Sequence, residues 1–230
     1  MIKLYLKYQP RFIYLFTIIV GAAFVLLNTR YINISEERTV DNVIVIEEGA
    51  FFLSPLQGVT FFIPLFLISY YIIERKIAAV ERVVDVRLDK QSYIKKNLII
   101  YGINSLSQPF IMLISMFITA KIKGINVPII ILAESIVTKT LYCMIISIIL
   151  EILRIIKINP VVACFSIYAV AIIDYILSYM LKLINGVLYP YAFYRINLTV
   201  SYVYLIIWLM ALLLIYRLCR QHVQEFIEDR

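Results

Sequence analysis

The chain has 230 residues, 63% of them hydrophobic and 16% charged, with a net charge of +7 and a mean hydropathy of +0.90. Soluble domains are roughly 45–50% apolar, so this composition excludes an ordinary soluble fold. The charges gather in short segments between apolar runs of about 17–25 residues, the length that crosses a hydrocarbon core ~30 Å thick.

The expected fold is therefore an all-α integral membrane protein, a single transmembrane domain over 1–230, with six spans at about 12–28, 57–73, 98–120, 127–151, 159–182 and 196–216. Six spans leave too little chain for an extramembrane catalytic unit. Before the first span, Lys3, Lys7 and Arg11 recur four apart, which suits a short helix lying in the inner interface; an ordinary basic flank is the plainer alternative. The apolar run Phe12–Leu27 is longer than a signal-peptide core and lacks a small-x-small cleavage site after it, so it reads as a retained span. An acidic loop (Glu36, Glu37, Asp41, Glu47, Glu48) follows.

Pro55, Pro128 and Pro160 fall near span starts, where a missing N–H is harmless, whereas Pro64 and Pro109 fall inside spans and predict kinks. Between spans two and three, Glu74–Asn97 contains neither Gly nor Pro, and Ile77, Val80, Val84 and Leu88 recur at helical spacing among mixed charges. A helix that leaves the membrane, turns and lies along its surface fits this pattern; a solvated charged hairpin is the alternative. Between spans five and six, Leu181–Thr199 carries Gly186, Pro190 and the aromatics Tyr189, Tyr191, Phe193 and Tyr194. It reads as a re-entrant outer element or as an interfacial aromatic belt.

Orientation follows from Lys and Arg in the connections. The N-terminus, the 74–97 loop, the 152–158 turn and the tail hold 15 basic residues against 6 on the opposite side. Both termini are thus expected in the cytoplasm, and the net charge reports sidedness rather than nucleic-acid binding. Heavy use of Ile, Lys and Tyr points to an AT-rich bacterial genome, hence to a bacterial plasma membrane.

Ionisable residues within spans are costly and are candidates for function. Glu134 and Lys139 lie on span four and Asp174 on span five, with Lys139 and Asp174 at comparable depth. They are expected either to pair and lock two helices or to line a translocation path. Cys143, Cys164 and Cys219 are unclustered and form no metal motif. His222 is the sole histidine and sits in the tail, so no His-based catalytic or metal site is expected.

The basic N-terminal helix, six spans, charged inner segment and broken outer element resemble the ABC-2 type permeases. Ile73-Glu74-Arg75, Val86-Arg87-Leu88 and Tyr93-Ile94-Lys95-Lys96 resemble the region after span two in small bacterial members. The resemblance implies a coupling helix from about Ala79 to Lys90, with Glu81, Arg82, Asp85, Arg87, Asp89 and Lys90 meeting a separate ATP-binding subunit. It implies a second permease copy or a sister permease, and export of, or resistance to, an antimicrobial peptide or other amphipathic substrate. The chain lacks a G-x-x-x-x-G-K-[ST] loop, so ATP and Mg would be bound by the partner and no cofactor by this chain. The alternatives are an ion- or proton-coupled carrier using Glu134, Lys139 and Asp174, and a non-transporting immunity or scaffold protein.

Overall fold

The computed structural model describes residues 11–37, 62–84, 90–124, 129–177 and 206–218; side chains at 24, 27–37, 78–98, 131 and 134 lie outside that description. The fold is all-α, and the described residues contain no strand. Helices α1 (Arg11–Glu37), α2 (Ile63–Val84), α3 (Lys90–Ile122), α4 (Ile129–Ile155) and α5 (Pro160–Tyr175) are followed by the shorter α6 (Ile206–Leu218). Two helical stretches, Ile99–Ile122 and Ser135–Ile155, are long and apolar enough to cross a membrane.

The helices outrun several expected spans. α1 continues to Glu37, so Glu36 and Glu37 end a helix instead of opening a loop. Nothing stops it earlier, because residues 28–37 contain neither Gly nor Pro. α2 runs past its apolar part through Glu81 and Arg82 to Val84, and α3 resumes at Lys90. The continuation after span two is thus helical on both sides of 85–89. Pro64 is the second residue of α2 as described, after Ile63 and π-helical Phe62. Pro109 lies within α3, which stays helical from Lys90 to Ile122. The 1–10 segment and the proposed re-entrant element at 181–199 lie outside the described residues.

The turn joining α4 to α5 is closed by its own backbone. Lys157 N–H donates to Arg154 C=O at 2.9 Å and Ile158 N–H to Leu153 C=O at 3.0 Å, which consumes two orphan carbonyls of α4. Lys157 takes the left-handed conformation that this motif requires, with φ 64°. Asn159 then caps α5, its side chain accepting from Val161 N–H at 2.9 Å, and Pro160 occupies the first turn.

Helix directions follow from the contacts. Tyr14, Thr17 and Ile18 of α1 meet Asn104, Gln108 and Ser115 of α3 in rising order, so α1 and α3 are parallel. Ser69 bonds Asn104 while Glu74 meets Tyr101, so α2 is antiparallel to α3. Ser105 bonds Ser147 and Tyr70 bonds Glu151, which makes α4 antiparallel to α3 as well. Direction therefore alternates along α1, α2, α3 and α4. The core between α1 and α5 includes Phe66, Ile73, Tyr101, Met112, Met116, Ile146 and Ile167, while Leu212 and Tyr216 fasten α6 to α4.

α1 and α3 approach closely at Gly21, where an added Cβ would stand 3.0 Å from the Met112 carbonyl and 3.3 Å from Ser115 Oγ. The first obstacle is backbone and cannot rotate away. Gly21→Leu is expected to destabilise the fold by about 1–3 kcal/mol, with Gly21→Ala milder, as read by thermal unfolding of the purified chain in mild detergent.

Candidate functional site

A seam of polar side chains runs along the inward face of α3. Asn104 Oδ1 accepts from Ser69 Oγ at 2.9 Å and from Tyr14 Oη at 3.3 Å. Ser105 Oγ lies 2.8 Å from both Ser147 Oγ of α4 and the Tyr101 carbonyl. Gln108 Oε1 accepts from Thr17 Oγ1 at 3.0 Å, and Ser115 Oγ donates to the Ile18 carbonyl at 2.8 Å. The spacing 104, 108, 115 stays on one face of a helix. Leu106, Phe110 and Ile118 occupy the outer face and are exposed.

At one end of this seam the side chains are ionic. Glu74 (α2) and Glu151 (α4) are 4% and 1% exposed. Arg154, one turn after Glu151, places Nη2 3.1 Å from Glu151 Oε2 and Nη1 3.9 Å from Glu74 Oε1. The first contact is an ion pair outside hydrogen-bond alignment. Two tyrosines complete the cluster: Tyr70 Oη donates to Glu151 Oε1 at 3.0 Å, and Tyr101 Oη donates to Glu74. Their rings stack at 4.6 Å between centroids with a 26° interplanar angle, a contact worth ~1 kcal/mol beyond its area. A cavity of about 10 Å³ beside Tyr70, Glu74 and Arg154 has room for one water.

Because Glu74 closes the apolar part of α2, Tyr101 opens that of α3 and Arg154 closes α4, the cluster brings the α2–α3 connection and the α4–α5 turn to the same end of the bundle. These are two of the segments that the basic-residue count assigned to one side.

Of the residues singled out from sequence, Lys139 and Asp174 are both buried, on helices that pack together. At ~1.5 Å per residue, Lys139 lies ~24 Å from the turn along α4 and Asp174 ~21 Å along α5, so their heights agree. Glu134 is on α4 with its side chain outside the description. Glu81 and Arg82 lie on α2 and Lys90 opens α3, again without described side chains, and Asp85, Arg87 and Asp89 fall outside the described residues. Among described residues no group of three or more His, Cys, Asp or Glu could hold a metal.

Sequence reasoning missed the ionic cluster. Glu74 served only as part of a motif, Arg154 as a loop cation, and Glu151 as the end of a span. The available signal was Glu151 and Arg154 three apart at the close of an apolar helix, with Tyr70 and Glu74 four apart on α2.

No family model, curated protein or solved structure matches the chain.

Removing one partner from a buried ionic group leaves uncompensated charge, whereas removing all the charges does not. Arg154→Met is therefore expected to destabilise by about 3 kcal/mol. The triple variant Glu74→Gln, Glu151→Gln and Arg154→Met should recover most of that loss. Thermal unfolding in detergent, with Tyr101→Phe as a milder reference losing about 1–2 kcal/mol, measures both. Additive losses across the series would show the three groups to be independent.

Proposed function

We propose that the chain is a multi-pass membrane protein that acts as the permease subunit of an ATP-driven exporter, with ATP hydrolysed by a separate subunit. The membrane part of this reading is supported by a reversal of polarity. Asn104, Ser105, Gln108, Glu151 and Asp174 are buried, while Phe12, Phe110, Ile130 and Phe165 are exposed at 49% or more. Such an outside favours hydrocarbon over water.

The observation that carries the permease reading is the course of α2. It passes the buried Glu74 without a break, reaches Val84, and hands over to α3 at Lys90. Glu74 and Tyr101 tie the two helices together just inside this connection, and Arg154 extends the tie to α4. A force applied to the charged stretch Glu81–Lys90 would therefore reach three helices, α4 through the buried 3.0 Å Tyr70–Glu151 hydrogen bond and the longer 3.9 Å Arg154–Glu74 pair. That is the mechanical requirement for a segment that couples an ATPase to a transport path. Export of, or resistance to, a peptide or other amphipathic substrate and pairing with a second permease copy complete the reading by resemblance.

The test is a mild-detergent pull-down of the tagged chain from its native membranes with ATP hydrolysis assayed in the eluate. ATPase activity should co-elute, and the triple variant Arg82→Ala, Asp85→Ala and Arg87→Ala should lose it at least tenfold while keeping the parent's melting temperature. A chain that elutes without ATPase activity, with the triple variant silent, would favour a carrier or scaffold.

A further inference from the structure

α2 and α5 leave between them a groove of about 460 Å³, within the range of small-molecule sites. Its walls are two stripes at i, i+3, i+4 and i+7, from Pro64 to Tyr71 on α2 and from Val161 to Tyr168 on α5. Cys164 Sγ lies 3.9 Å from the Leu67 carbonyl at the meeting of the two helices. Seven residues of helix give the groove a length of ~10 Å, most of one leaflet of the hydrocarbon core.

Among the described residues the stripes are apolar along their length and basic at one end only. The next position on α2 after Tyr71 is Arg75, whose guanidinium carbon lies 5.7 Å from the Tyr71 ring centroid. Lys157 stands in the α4–α5 turn, four residues before Val161. Both cations are exposed, and the first turn of α5, which carries Val161 of the groove wall, has its positive dipole end here. At the opposite end α5 continues the stripe with Ala171 and Ile172. Lys157 also holds a left-handed backbone position that glycine would occupy with less strain.

From this one-ended charge we infer that the groove seats an acyl chain of an anionic phospholipid, with the lipid phosphate on Arg75 and Lys157. The inference rests on the membrane reading above and not on the ATPase partnership. The charged end is the end of the bundle that holds the α2–α3 connection, where the basic-residue count places the cytoplasmic leaflet and its anionic lipids. A second copy is a poorer occupant: a two-fold axis along the membrane normal would bring the same cations of both copies together.

The full chain would be reconstituted in phosphatidylcholine vesicles as Phe165→Trp in a Trp208→Phe background, with brominated phosphatidylglycerol or brominated phosphatidylcholine as quencher. Phe165 lines the groove and is 70% exposed, so the change is mild. Quenching should reach half-maximum at a lower mole fraction of phosphatidylglycerol, by up to about 25-fold, from about fivefold for each of the two basic residues. Arg75→Ala with Lys157→Gly should abolish that preference; the glycine suits the left-handed turn and spares the fold. A control indole, Val170→Trp, on another face of α5, should show no preference. Equal quenching by both lipids at Phe165→Trp would overturn the proposal, as would a shielded groove indole beside a quenched control, which would mean protein covers the groove. If neither indole is quenched and alkali releases the chain from vesicles, the membrane reading itself falls.

Discussion

Asn104 joins three helices. Its carboxamide oxygen accepts from Ser69 of α2 and Tyr14 of α1 while its own backbone belongs to α3. The amide nitrogen has no partner in the assigned orientation, and neither does that of Gln108 one turn later. Rotating either amide by 180° would exchange donor and acceptor: Tyr14, Ser69 and Thr17 could then accept, with their hydroxyl protons turned elsewhere. In both orientations the helix contacts survive, because hydroxyls can serve as either donor or acceptor. Where apolar surface on the outside gains nothing by leaving its surroundings, helices must find one another through such bonds and through small residues. Gly21 supplies the small residue, the α3 seam the bonds, and together they set the parallel pairing of α1 with α3.

The ionic cluster solves a different problem at the end of the same seam. Two carboxylates and one guanidinium are removed from water, and desolvation of each charge costs several kcal/mol, which a single ion pair rarely offsets. The cluster distributes the load. Arg154 reaches both carboxylates, each carboxylate also accepts a tyrosine hydroxyl, and the stacked tyrosine rings hold those hydroxyls in place. Arg154 keeps a side-chain exposure of 20%, so part of its hydration is retained. The arrangement contributes geometry more than stability: it fixes the level at which α2, α3 and α4 meet.

The all-α class and the positions of most helices were readable from sequence, since apolar runs and breakers are local signals. Pro160 announced the start of α5 through its missing N–H, and the structure adds the Asn159 cap in front of it. Helix ends facing away from the apolar runs were less legible. α1 passes Asn28 and α2 passes Ile73 because hydropathy marks where a segment stops being apolar, not where its hydrogen bonding stops. Glu74 and Glu151 were invisible for a related reason. Each sits at the edge of an apolar run, where a charge is ordinarily solvated, and only the approach of a third helix makes it buried. The 152–158 turn was legible, but the left-handed residue that closes it was not, because it is Lys157 and not the glycine a sequence reader looks for.

That turn links the two halves of the structure. Arg154 acts twice: its carbonyl accepts from Lys157 N–H and closes the turn, while its guanidinium binds Glu74 and Glu151. The turn places Asn159 and Pro160 to start α5, so the direction in which α5 leaves is set beside the cluster. α5 in turn forms one wall of the apolar groove whose other wall, α2, carries Glu74 on its inward side and Arg75 on its outward side. A shift of α2 relative to α4 would therefore disturb the Glu74–Arg154 contact and alter the groove width through the same few residues. Charge pairing inside and the exposed apolar surface outside are not separate features of this bundle; one arginine and the turn it closes connect them.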